Sequence, residues 1–239
     1  MTKKTSFILF NNLIFDKKIY IMNKKNIINS IKLIKFYKFI NYNLIYNNKA
    51  INRYKKEKFE ISKDRAESLK KLKSLILNLK NCELKKNATN MVFSDGNPKA
   101  KIMLIGEGPG QNEDKEGLPF VGRAGELLDK MLAAIDLNRD NVYITNVVNY
   151  RPPQNRKPTE EEVERYLPFL KTHIEIINPK ILVLLGSTAL NALIGNKEVI
   201  SKMRGKWTEQ KFGNCITSTI VTFHPAFLMR QPAQKKWHG

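Results

Sequence analysis

From about residue 60 onward, apolar residues recur in two alternating rhythms. Residues 62–80 repeat at three and four: Leu69, Leu72, Leu75, Ile76 and Leu79 share one helical face, with Ser62 as N-cap and Asp64 in the first turn. Residues 101–105 form a short β-rich run ended by Gly106. Residues 122–135 return to the helical period, with Leu127, Leu128, Met131, Leu132 and Ile135 facing inward. A second strand is predicted over 142–148. Pro158 then opens a helix running to about Ile177, with Glu160 to Glu162 near the positive end of its dipole. A third strand covers 181–185 and closes at Gly186, and residues 187–193 form a short helix. A fourth strand covers 217–223, and a short helix follows Pro225.

Strands alternating with helices imply a parallel sheet covered on both faces. The strand interiors are nearly continuous apolar runs, as a doubly covered sheet requires. In such sheets ligands bind beyond the carboxyl ends of the strands. Three polar, Gly/Pro-marked loops fall there, at 106–114, 146–155 and 224–230.

Composition changes this picture at the amino end. The chain of 239 residues carries 42 Lys/Arg against 22 Asp/Glu, a net charge of +20. Residues 1–60 hold 14 Lys/Arg against 3 Asp/Glu, so over half the excess sits in a quarter of the chain. Acidic partners follow, nucleic acid first and anionic membrane second. Residues 1–60 read as a weakly ordered or partly helical basic extension, rich in Asn, Lys and Ile, and residues 61–239 as the globular domain. Ile27, Ile31, Ile34, Phe39 and Ile40 have loose helical spacing, which suits a surface tether or an extension with no specific role. Met22 is an alternative start. No stretch reaches the roughly 18 to 20 apolar residues of a membrane span. The run 7–15 imitates a signal peptide but lacks a small-residue cleavage site, so a cytoplasmic protein is expected. Two cysteines, Cys82 and Cys215, exclude a disulfide scaffold and any four-cysteine metal site. A monomer is the default.

The loops carry the chemistry. In Gly106-Glu107-Gly108-Pro109-Gly110, followed by Glu113, glycines let backbone approach a ligand closely. The loop lacks the G-x-G-x-x-G spacing and has no Gly-Lys-Ser/Thr, so neither a dinucleotide fingerprint nor a Walker loop is present. Phe120, preceded by Pro119 and flanked by glycines, makes a platform for a flat ring. Asn146 ends a buried strand, and its amide matches a pyrimidine edge bearing O4 and N3–H. Arg151 and Arg156 on the Arg-Pro-Pro stretch suit phosphates, with Asn155 between them. His224 at a strand end can donate to a developing anion. Leu228 and Met229, with Arg230 behind them, suit a wedge into a base stack with a phosphate anchor.

The segments GEGPGQNEDKEGLPFVGRAGELLDKML, YITNVVNYRPPQNRKP, ILVLLGSTALNALIG, MRGKW and TFHPAFLMRQPAQKKW resemble the family 4 (bacterial and archaeal type) uracil-DNA glycosylases, in order from about Asn81 to Gly239. The resemblance implies a three-layer α/β/α domain with a four-stranded parallel sheet, and hydrolysis of the N-glycosidic bond of deoxyuridine in single- or double-stranded DNA. Carried onto this chain, Glu107 and Gly108 line the uracil pocket, Phe120 stacks on the ring, Asn146 reads its edge and His224 faces O2. Glu113 and Asn155 position water or shape the pocket. Some related glycosylases carry Asp where Gly108 stands, so Glu107 and Glu113 both remain candidates for the water-orienting carboxylate. Members usually continue beyond Trp237-His238-Gly239, so a truncated end is expected.

One departure matters. The family typically holds a [4Fe-4S] cluster on four cysteines. Here Cys82 matches the first, while Lys85, Tyr150 and Tyr166 stand at the other positions and Cys215 lies in a different segment. One thiolate of four cannot hold a cluster, so no metal and no cofactor are expected, with the tyrosines filling the space. Two other readings compete: a non-catalytic nucleic-acid or polymerase-associated protein of the same fold, and a nucleotide-binding enzyme, against which the missing lysine and the His-Pro loop argue.

Overall fold

The computed structural model describes residues 59–62, 64–195 and 199–235. The readings made for the basic extension up to residue 58, and for the end of the chain at 236–239, lie outside the described residues.

The first helix, α1 (Arg65–Leu77), starts later than its periodicity suggests, because Asp64 is the N-cap and accepts from the Ala66 N–H at 2.9 Å. Ser62 instead donates from its hydroxyl to the Asp64 carbonyl at 2.7 Å. Leu69, Leu72 and Ile76 are buried, whereas Leu75 faces solvent. A short helix α2 (Glu83–Asn87) and a two-residue strand β1 (Asp95–Gly96) precede the first long strand, β2 (Ile102–Gly106). After it come α3 (Gln111–Glu116) and α4 (Arg123–Ala133). Leu128 and Leu132 of α4 are buried, but Ile135, beyond the helix end, is 64 % exposed and not an inward residue. β3 (Val142–Asn146) follows.

Pro158 lies before α5 (Glu160–Ile177) and not in its first turn. Thr159 is the N-cap: its hydroxyl accepts from the Glu162 N–H, and the Glu162 carboxylate accepts from the Thr159 N–H. This reciprocal pair satisfies two donors that a helix start leaves open. β4 (Ile181–Leu185), α6 (Ser187–Leu193) and α7 (Ile200–Met203) lead to an antiparallel pair, β5 (Trp207–Phe212) and β6 (Cys215–Thr222), and then to α8 (Pro225–Arg230).

The sheet order is β1-β3-β2-β4-β6-β5. The four inner strands are parallel, and β1 and β5 add antiparallel edges. The expected four-stranded parallel sheet is therefore the centre of a six-stranded mixed one. Alternation along the strands splits the core. Met103, Ile105 and Tyr143 pack with α1, α5 and α6, while Leu104, Val142 and Ile144 pack with Leu128 and Leu132 of α4. The result is three layers, α/β/α.

β2 pairs with β3 on one side and β4 on the other, so the chain reverses direction across the sheet at β2. Open α/β sheets leave a crevice at such a switch point, outside the carboxyl ends. The register puts Gly106 beside Asn146 and Leu185 beside Thr222, so those ends finish level with one another.

Candidate active site

A cavity of about 650 Å³ opens there. Glu107, Gly108, Phe120, Asn146 and His224 all line it, as do Glu113, Asn155, Arg156 and Arg230. Three loops distant in sequence thus converge on one hollow.

Asn146 ends β3 at 3 % exposure, and its Oδ1 is buried without a hydrogen-bond partner among the described residues. A buried acceptor left open costs about 1–3 kcal/mol, so such an atom calls for a ligand donor. The Phe120 ring lies close by. A Cβ on Gly106 would come within 2.4 Å of Asn146 Oδ1 and 2.6 Å of Phe120 Cζ. Only a residue without a side chain lets β2 end between them. Phe120 is itself 5 % exposed and has φ +56°, a left-handed backbone rare for an aromatic residue.

The two carboxylates differ sharply. Glu113 Oε2 accepts from Gly110 N–H at 3.0 Å, and Oε1 accepts from Val121 N–H at 3.0 Å and Gly122 N–H at 2.9 Å. It ties the first loop to the Phe120 loop with both oxygens engaged. Glu107 has one oxygen accepting from the Thr188 hydroxyl, across the switch point, and its other oxygen has no hydrogen-bond partner among the described residues. A Cβ on Gly108 would meet Val148 Cγ2 at 2.7 Å, so a side chain there would need the wall to move.

His224 is the N-cap of α8, and its Nδ1 accepts from Ala226 N–H at 3.2 Å. A neutral ring accepting at Nδ1 carries its proton on Nε2, leaving a donor. Burial, aided by the charge of Arg230 and opposed by Glu113, pulls its pKa down to about 4. The ring stacks near Phe120, centroids 5.5 Å apart at 26°. That is already stacking distance, so no third ring fits between them.

A second histidine, His173 of α5, is buried against Phe93 at 4.6 Å, bonds the Tyr143 hydroxyl at 2.8 Å, and is held by burial at a pKa of about 3. Both histidines stay neutral in the fold while unfolded chains take up protons below about pH 6.5. The native state then binds fewer protons, so stability is full above pH 6.5 and falls as pH drops toward 4. The expected slope is up to about 1.4 kcal/mol per pH unit for each ring. Urea midpoints between pH 7.5 and 5 measure it, and His173→Gln should flatten the slope by about half.

The remaining expected contacts divide. Arg156 lines the cavity but forms a two-pronged ion pair with Glu162, at 2.7 and 2.8 Å, which holds its pKa up. Arg151 is half-buried, lies outside the cavity lining and donates to Asn155 Oδ1 at 2.7 Å. Arg230 is exposed on the rim. Leu228 is 6 % exposed, so it is a core contact and not the wedge expected from its place beside Met229 and Arg230. Its helix rotates it inward while Met229 stays half-buried. Lys157, Ser187 and Ile200 also line the cavity and carried no sequence signal beyond their neighbours.

At the positions where the resemblance expects cluster cysteines, a thiol meets a phenol. Cys82 Sγ lies 3.2 Å from the Tyr166 hydroxyl, and both are buried. Burial raises the pKa of Tyr166, and that of Tyr150, whose hydroxyl is buried without a partner. Lys85 is exposed and donates to the Leu77 carbonyl. Cys215 sits on β6, with its thiol directed to the Pro179 carbonyl. Among the described residues no three His, Cys, Asp or Glu side chains gather as a metal site. The residues present do not fit a four-thiolate cluster.

No helix among the described residues is long and apolar enough to cross a membrane. The family model of the uracil DNA glycosylase superfamily matches residues 93–238. A type-4 uracil-DNA glycosylase of Sulfurisphaera tokodaii is 44 % identical over 175 residues, 71 % of this chain and 80 % of that protein. One from Thermotoga maritima is 48 % identical over 150 residues, 62 % and 77 % of the two chains. A DNA polymerase of Bacillus phage SP01 is 33 % identical over 141 residues, 57 % of this chain but 14 % of that protein. The matched span holds both Phe120 and Asn146 and the loops that meet around them, and the chain belongs to the uracil-DNA glycosylase superfamily, among its type-4 members.

Proposed function

We propose that the chain excises uracil from DNA, drawing deoxyuridine out of the base stack and hydrolysing the bond between C1′ and N1. The activity belongs to residues 61–239, within which the whole family match falls. The observation that carries the reading is the open Oδ1 of Asn146, buried beside the Phe120 ring. Uracil offers N3–H to that oxygen and O4 to the amide nitrogen, while its ring lies on Phe120. Because His224 already covers part of the Phe120 face, the base lies beside His224 and meets it edge on. The Nε2–H then donates to O2 as the leaving uracil takes negative charge.

As the C1′–N1 bond breaks, its electron pair leaves with uracil and the sugar becomes an oxocarbenium-like cation. Glu107, anchored by Thr188 and with one oxygen open, orients water toward C1′ and offsets that positive charge. Water adds to C1′ and gives up a proton, which passes through solvent to the uracil anion, leaving an abasic site and free uracil. Glu113 shapes the pocket. Lys157 and Arg230 on the rim face the DNA backbone.

The test is incubation with single- and double-stranded oligonucleotides bearing one deoxyuridine, then alkali. Strand cleavage at that position is expected. Binding without cleavage by the unaltered protein would support the non-catalytic alternative.

The same reading holds that no iron–sulfur cluster is needed. Cys82, Tyr150 and Tyr166 occupy the relevant quarter with packed side chains. Anaerobically purified protein should show no band near 400 nm and no stoichiometric iron, and should remain active. One cluster's worth of iron per chain would refute this.

A further inference from the structure

The left-handed backbone of Phe120 needs something to hold it, and two contacts do so. Gly125 of α4 presses on the Phe120 carbonyl; a Cβ there would lie 1.7 Å from that oxygen. The other contact is Arg139, in the turn after α4. Its Nη1 donates to the Pro119 carbonyl at 3.1 Å and its Nη2 to the Phe120 carbonyl. The same guanidinium is oriented from behind by Asp95 of β1 at 2.6 Å and Asp129 of α4 at 3.0 Å. One planar fork therefore gathers two consecutive carbonyls and two carboxylates, an arrangement an ammonium cannot copy. Arg139 does not line the cavity, so it acts on the site only through the loop.

We infer that Arg139 is a positioning residue for base recognition: it locks the 119–120 loop so that the Phe120 ring stands ready before DNA arrives. The inference rests on the reading that Phe120 carries the flipped base. A platform already in place spares the ordering cost that a mobile loop would bring to binding. A ring displaced by even a fraction of an ångström presents the glycosidic bond off its reactive line.

A double-mutant cycle on the full chain tests this, using a deoxyuridine duplex and reading kcat and KM separately. Arg139→Ala should lower kcat/KM about tenfold in the presence of Phe120, and less than about twofold in a Phe120→Ala background. Arg139→Lys keeps a charge between Asp95 and Asp129, so it should fold normally and lose about threefold. The loss should appear in KM through the ordering cost and in kcat through the misaligned bond, at temperatures where circular dichroism shows a folded protein. Equal losses in both backgrounds, or a lowered melting temperature with unchanged kcat/KM, would overturn the assignment to Arg139. A silent Phe120→Ala would instead overturn the reading of Phe120, and this inference with it.

Discussion

Asn146→Ala should abolish most of the activity while leaving the protein as stable as before or more so. In the proposed pose the amide would face the base twice, accepting from N3–H and donating toward O4, where charge gathers as uracil leaves. Removing one such donor from a water-poor site typically lowers kcat by about 10²–10³. Stability should move the other way. The Oδ1 is buried with no partner among the described residues, so the native state carries an unmet acceptor. Deleting it relieves a cost of about 1–3 kcal/mol, offset in part by the small void left behind. A melting temperature that stays level or rises, together with a large fall in single-turnover rate, is the signature of a residue kept for its ligand. A fall in both would mean that Asn146 is a structural amide.

Glu107→Gln and Glu113→Gln should separate the two carboxylates. At Glu107 the Thr188 hydroxyl can still donate to an amide oxygen, so the fold should persist. In the proposed role, losing the negative charge would remove both the orientation of water and the stabilisation of the sugar cation, and single-turnover rates should fall by about 10²–10⁴. At Glu113 both oxygens accept from backbone N–H groups. An amide there must turn its NH₂ toward one of these donors, so the loops should loosen at about 1–3 kcal/mol. Urea titration and quench-flow on the same two variants check this. Equal kinetic losses with no stability difference would return both residues to equal standing.

The parallel centre of the fold was legible because its strands are uninterrupted apolar runs, which tolerate no other reading between two helical layers. The edges were not. β1 is two residues long, and β5 alternates with its exposed face bearing Trp207, Glu209 and Lys211, so neither shows a core strand's pattern. Helix starts were misplaced by two or three residues wherever the capping side chain, as with Asp64 and Thr159, competed with an equally plausible neighbour. Within the site, the loops named by Gly, Pro and a strand-end amide do meet in space. Side-chain commitments were invisible: Glu113 and Glu107 look alike in sequence, and only their hydrogen bonds distinguish them. Leu228 beside Arg230 reads as a wedge until the turn of α8 carries it inward. Arg139 had no local signal at all, since its partners come from residues 10 to 44 positions away.

Uracil is proposed to lodge where the ends of β2, β3 and β6 meet. A crystal structure of the protein with uracil, or with the cleaved duplex and its released base, tests it most directly. The base should lie on Phe120, with N3 within hydrogen-bond distance of Asn146 Oδ1 and O2 facing His224 Nε2. A base bound elsewhere, or an Asn146 Oδ1 still without a partner in the occupied protein, would contradict it.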